Sequence, residues 1–325
     1  MTQAKPVFSL NFSHAYKVLA GCADLKTEPE DFVVVEEFDE ANFSGSGEHV
    51  CLQIRKRGQN TRWIAAALAE VATVAERDIG FCGMKDRRAV TTQWFSVAHA
   101  GEWKMPALAI PDCEVLQVIR HQRKLRRGSH RGNHFVIRLR NVSSSIDRPR
   151  VDERLSLIAK GGVPNYFGEQ RFGIEGQNLV EADRLLRRGR QRKMGGRQGI
   201  FLSAARSYLF NRVLSERVTR QSWSQALDGE STPQGPLWGR GRSLSRGALA
   251  ELESRVLADF QPWCHALEHL GLDQQQRDLV LLPSRLEWHW QDRDLCLSFA
   301  LPVGTYATSV LRELLDVNTP PYGES

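Results

Sequence analysis

The chain has 325 residues, 41% hydrophobic and 25% charged, proportions that exclude a disordered or fibrous protein and suit two domains or one large α+β domain. No apolar run approaches the length of a membrane span, and Met1–Cys22 lacks the basic segment, apolar core and small-residue cleavage site of a signal peptide, so a cytoplasmic protein is expected. The net charge of +6 says less than its placement: no Asp or Glu falls between Val115 and Ile146, or between Arg184 and Ser215.

In chain order, Pro29 marks a turn before a β-branched run, so a strand is expected from Phe32, with Lys26 just outside it. In His49–Lys56, Val50, Leu52 and Ile54 alternate with Cys51, Gln53 and Arg55, the pattern of a strand with one buried face. Asn60 or Thr61 caps a helix whose Ile64, Ala67, Leu68, Val71 and Val74 follow the 3.6-residue period. The stretch Gly83-Met84-Lys85-Asp86-Arg87-Arg88 then sets a single carboxylate among three cations after a Gly turn, and opens onto β-formers from Ala89 to Val97. Nearby opposite charges favour the ionised form of a carboxylate, so Asp86 suits a nucleophile or electrostatic partner better than a proton donor. A solvated turn before a strand would show the same residues.

A strand near Glu114–Ile119 leads into the first acid-free span, which holds Arg120, Arg123, Lys124, Arg126, Arg127, Arg131, Arg138 and Arg140. Within it, Asn133–Arg140 has the period of a strand, with Asn133, Phe135, Ile137 and Leu139 on one face. A base could stack on Phe135 and be hydrogen-bonded beside it, and a plain core strand has the same pattern. The second span holds Arg184, Arg187, Arg188, Arg190, Arg192, Lys193, Arg197, Arg206 and Arg212. The planar fork of arginine matches phosphate, so two such spans point to a polyanion contacted at two places; solvated faces are the other reading.

Val151–Ile158 reads as a helix closed by Gly161-Gly162, and Val163–Gly173 mixes Gly, Pro and aromatics without a period, as functional loops do. Helices follow at about Asn178–Arg188, Ser203–Val218 and Ser245–Phe260, the last two capped by Ser. Ser231–Gly241 is a Gly/Pro-rich loop without the Lys of a P-loop. Leu286–Phe299 alternates as a hairpin around Asp292-Arg293-Asp294, and Thr305 caps a last helix with Tyr306, Val310 and Leu314 as its stripe. Strands followed by helices, without regular alternation, define an α+β chain with a largely antiparallel sheet. Six widely spaced cysteines read as buried thiols. His265 and His269 could share a helix face and bind a metal, but the HExxH glutamate is missing, so no metal is expected there.

Five segments taken together resemble the TruD family of tRNA pseudouridine synthases: Lys26–Phe32, Gly83–Arg87 with Ala89–Gln93, Arg131–Phe135, Gly162–Gly173 and Leu301–Leu314. The resemblance implies isomerisation of a tRNA uridine, at position thirteen in bacterial members, to pseudouridine. It places the family's catalytic aspartate at Asp86, the lysine that pairs with it at Lys26, the aromatic that stacks on the base at Phe135 and its hydrogen-bonding neighbour at Asn133. Phe32 and Lys85 would join the substrate site. Arg123, Lys124, Arg126, Arg127, Arg131, Arg190, Arg192 and Lys193 would grip the RNA backbone, and the nucleotide would be flipped out to reach Asp86. No metal or organic cofactor, no membrane and no obligate protein partner is implied, and a monomer is expected. The implied architecture is a mixed α/β catalytic domain over 1–154 and 304–325, interrupted by a family-specific inserted α/β domain over 155–303.

The competing reading is a non-catalytic RNA-binding or chaperone protein on the same fold. Asp86 separates the two, because a carboxylate on a phosphate-binding surface repels the ligand of a mere binder. A base deaminase would need zinc ligands in an H-x-E…P-C-x-x-C arrangement, which the chain lacks.

Overall fold

The computed structural model describes residues 8–17, 19–99, 101, 110–187, 198–241 and 245–320. The chain packs as two discontinuous units, one of Ala20–Pro149, Pro283–Gly304 and Leu315–Ser325, the other of Met1–Leu19, Arg150–Leu282 and Thr305–Leu314.

The first unit is built on eight strands. They are β1 (Phe32–Glu37), β2 (His49–Arg57), β3 (Ile79–Phe81), β4 (Val90–Ala98), β5 (Cys113–His121), β6 (Gly132–Leu139), β7 (Ser284–Gln291) and β8 (Asp294–Pro302). Their order across the sheet is β7-β8-β6-β1-β4-β2-β5, with β3 also beside β4. All pairings are antiparallel except β1 with β4, which run parallel through Val33–Val35 and Val90–Thr92. The expected α+β class with a largely antiparallel sheet is what the chain adopts. Register aligns three rows on one face: Phe32 with Ile137 and Leu297, Val34 with Phe135 and Phe299, and Glu36 with Asn133 and Leu301. Gly132 is required where β6 meets β8, because a Cβ there would lie 2.4 Å from the Leu301 carbonyl oxygen.

Helix α1 (Thr61–Ala72) is capped as expected by Asn60, whose side chain accepts from the Arg62 N–H at 2.9 Å. Its Ile64, Ala65 and Leu68 pack on Val50, Leu52, Ile54 and Phe95 of β2 and β4. Val71, expected in that stripe, is exposed, because the buried arc rotates toward Ala65 and Ala69. A short parallel pair of Cys22–Asp24 with Asp316–Asn318, too brief to carry a periodic signal, was not legible in the sequence.

The second unit is mainly helical: α2 (Arg148–Gly161, which begins just before its boundary), α3 (Gln177–Arg187), α4 (Gln198–Thr219), α5 (Gly247–Val256), α6 (Gln261–Glu268) and α7 (Ala307–Leu311). Its core centres on Tyr208, Leu209, Phe210, Val213 and Leu214 of α4. Asn211, fully buried on the same helix, clips the unperiodic loop in place by accepting from the Phe167 N–H at 2.9 Å and donating to the Phe167 carbonyl at 3.0 Å.

Several expectations shift here. Ser203 lies inside α4 rather than at its cap, and α5 starts after Arg246, while Ser245 donates to Glu253 at 2.8 Å. The loop expected over Ser231–Gly241 contains a strand, Gln234–Leu237, paired antiparallel with Gln275–Asp278. The last helix starts after Tyr306, which takes the N-cap position expected of Thr305. His269 is the C-cap of α6, its ring 4.8 Å from that of His265, and Glu268 brings a third potential ligand atom within 4.8 Å of the two imidazoles. Cysteines 51, 82 and 264 are buried, but Cys22 is exposed and Cys113 and Cys296 are half-buried.

Packing divides the chain differently from the expected insertion over 155–303. The β7–β8 hairpin hydrogen-bonds onto β6 and so belongs with the sheet, whereas Phe12 and Tyr306 join the helical core and take 1–19 and 305–314 with them. Among the described residues no helix is long and apolar enough to cross a membrane.

Candidate active site

Lys26 is held at φ +59°, a left-handed conformation uncommon outside glycine, directly before the turn Pro29–Asp31. That turn is fixed by Asp31, almost fully buried, which accepts from the Glu28 N–H at 2.8 Å and from Arg140 Nε at 2.7 Å. The Lys26 ammonium then lies 4.0 Å over the Phe32 ring and 2.6 Å from Asp86 Oδ2. The Asp86 side chain is 39% exposed, so its carboxylate is paired and still open to a ligand.

The loop that carries Asp86 is pinned from below. The Lys85 N–H donates to Thr61 Oγ1 at 3.0 Å, Thr61 donates to Gln93 Oε1 at 2.9 Å, and Gln93 Nε2 donates to the Gly83 carbonyl at 3.2 Å. The Lys85 ammonium turns inward to Glu36 Oε1 at 2.8 Å, while Glu36 Oε2 accepts the Trp94 N–H at 3.0 Å. Lys56 donates to the Gln59 carbonyl at 2.7 Å and to the Asp86 carbonyl at 3.4 Å. Burial pushes its ammonium down to about 8. Glu36, Cys82 and His130 bring potential ligand atoms within 4.8 Å of one another, but the Lys85 cation occupies Glu36 and burial pushes the Cys82 thiol up to about 12, a poor fit to a metal.

Phe135 stacks on Phe299 at 5.6 Å and meets the Phe32 ring edge-on at 6.0 Å. It is 7% exposed and therefore a core residue. Asn133 shares its face, and its Oδ1 is buried without a hydrogen-bond partner among the described residues.

Lys26, Phe32 and Asp86 thus come together, and Phe32 links them to Phe135, with Asn133 on the same sheet face. Lys85 does not face the opening, because its charge is paired with the fully buried Glu36. Glu36, Lys56, Thr61 and Gln93 were not singled out as site residues from the sequence. The signal for two of them was present: Glu36 continues the Phe32-Val34 parity and Lys56 the Val50-Leu52-Ile54 parity, so each is a charge on a buried face.

The basic spans resolve into different roles. Arg138 pairs with Asp294, Arg140 with Asp31 and Glu28, and Arg131 with Asp39, while Arg120 donates to the His99 and Gly101 carbonyls. Lys124 donates to the Arg77 carbonyl. Arg123, Arg126 and Arg127 are exposed and have no carboxylate partner among the described residues. In the second span Arg184 and Arg187 pair with Glu181 and Asp183, and Arg206 turns to the Leu237 and Asp273 carbonyls. Arg190, Arg192 and Lys193 lie outside the described residues.

This fold is shared with a solved structure from Methanosarcina mazei, described as a putative tRNA pseudouridine synthase D, at a TM-score of 0.69 and 21% identity over 94% of this chain and 96% of that one. The family model described as tRNA pseudouridine synthase D (TruD) matches residues 16–193 and 225–314. A tRNA pseudouridine synthase D of Cellvibrio japonicus is 47% identical over 96% of this chain and 94% of its own length, and one of Nitrosococcus oceani is 44% identical over 90% of each. The chain belongs to the TruD family of tRNA pseudouridine synthases.

Proposed function

We propose that this protein, an isomerase by its family, converts uridine 13 of tRNA to pseudouridine with Asp86 as the nucleophile. The observation that carries the reading is the 2.6 Å Lys26–Asp86 pair, open to solvent on the carboxylate side. In the isomerisation the N1–C1′ bond breaks, a C5–C1′ bond forms, the C5 proton leaves and N1 takes up a proton. Asp86 would attack the ribose or the base, with Lys26 aiming the carboxylate. The unpartnered Oδ1 of Asn133 suits the imide N3–H of uracil, and Phe135, backed by Phe299, would take the flipped base. Lys85 acts in this reading as a positioning residue through Glu36 rather than as a substrate contact.

We also propose that the sheet unit is the catalytic domain and the helical unit the inserted one. The reading requires tRNA alone as partner, with the protein acting as a monomer in the cytoplasm. Its test is pseudouridine mapping of an unmodified tRNA transcript treated with wild-type protein or Asp86→Asn, by chemical labelling that stops reverse transcription. A new stop at position 13 with wild type alone is expected, with binding of the Asn variant within a few-fold of wild type. Tight, salt-sensitive tRNA binding without a stop from either protein would favour the non-catalytic reading.

A further inference from the structure

A cavity of about 680 Å³ lies on the sheet unit at the β2–β5 edge, lined among others by Phe38, His49, His121, Arg123, Lys124 and Arg126. Among the described residues its lining contains no carboxylate. His49 and His121 are cross-strand partners, so the paired strands hold two imidazoles side by side. The His121 Nδ1 accepts from the Ser44 N–H at 3.3 Å, which assigns the proton of the neutral ring to Nε2 and makes that atom a donor. Burial and neighbouring cations hold both imidazoles below the usual histidine range, so at neutral pH the positive charge comes from the arginines and Lys124.

The wall is rigid where it needs to be. Buried Leu125 donates its N–H to Ser96 Oγ at 2.9 Å, and Gly128 donates to the Cys82 carbonyl at 2.8 Å, immediately before the loop that carries Asp86. Arg123 and Arg126 are exposed on this fixed backbone, with no acid paired to them among the described residues. Phe38 contributes an aromatic surface, its ring backed by Phe43 at 4.8 Å and Trp94 at 6.4 Å. Paired arginines beside a supported ring are what a single-stranded nucleotide needs, one group for the phosphate and one for the base. The volume falls within the range of sites that enclose a ligand of nucleotide size.

We propose that this cavity is a second RNA subsite, in which Arg123 and Arg126 bind the phosphate and Phe38 stacks the base of a nucleotide flanking the target uridine. It rests on the tRNA reading above and extends it to a contact outside the Asp86 site.

The test uses the full chain and a set of synthetic tRNAs, each carrying one uncharged methylphosphonate linkage within five nucleotides of the target uridine. With wild type, one or two of these linkages should weaken binding about tenfold. With Arg123→Ala/Arg126→Ala, those same linkages should have no effect while the others keep theirs, and the salt slope of binding should fall by about 0.7, the share of one single-strand phosphate. Phe38→Leu should weaken binding to the same RNAs without altering the linkage profile. An identical linkage profile in wild type and the double variant would overturn the subsite and leave the tRNA reading standing. Wild type that neither binds nor modifies tRNA would overturn the tRNA reading itself.

Discussion

Two side chains show how single residues set up the site. Asn133 presents a buried oxygen with no partner among the described residues, and in the proposed reading the base completes it. Asn133→Ala should therefore lower kcat/KM about 10- to 100-fold, the weight of one buried hydrogen bond, while thermal stability stays near wild type. A large loss of stability with unchanged kinetics would make Asn133 structural. Lys56 is the converse case, a cation that burial drives down to about 8. Its folded state releases a proton more readily than the unfolded chain, so the penalty is full below pH 8 and is relieved as pH rises from 8 toward the ordinary lysine range. Urea unfolding from pH 7 to 10 should show wild type gaining stability relative to Lys56→Met across that window. Parallel curves would show that Lys56 titrates normally in the fold.

At the scale of the element, the loop Gly83–Asp86 is determined by what lies beneath it. Thr61 and Gln93 form a relay from the first residue of α1 to β4, and the relay ends on the loop backbone. Thr61→Val keeps the shape but leaves the Lys85 N–H without an acceptor, a cost of about 1–3 kcal/mol. We expect kcat to fall with KM little changed, since the loop would lose its set position more than the RNA would lose contacts. A change confined to KM would mean the loop does not depend on Thr61. The strands, the Asn60 cap and the β7–β8 hairpin could be read from period and cap chemistry because those signals are local. The Ser203 and Ser245 caps were misplaced because tertiary packing extended α4 and shortened α5, and a serine inside or beside a helix looks the same in sequence as one at its start.

Across the whole molecule, each of the two packing units is assembled from separated segments, and the helical one contains a buried acid outside the site. Glu253 is pushed up to about 7, chiefly by burial, against the favourable bond from Ser245. A raised carboxylate favours the folded state when protonated, so this contribution is fully present below the ordinary glutamate range and is lost as pH rises through 7. Tm measured between pH 5 and 8 should fall for wild type relative to Glu253→Gln, which retains an acceptor for Ser245. A constant difference across that range would place the Glu253 titration at its ordinary value.

The sequence by itself determined the strand and helix types, the α+β class, the family and the placement of the Lys26 and Asp86 motifs, because each depends on neighbours within a few residues or on matched segments in order. The tertiary structure gave the Lys26–Asp86 pair, which the family resemblance implied, its 2.6 Å geometry, and it alone decided that Lys85 is held inward by Glu36 and that Lys56 supports the loop from beneath. It also separated the arginines paired with acids from Arg123 and Arg126, which have no such pair among the described residues. Charge in a sequence has no direction; burial and strand register supply it.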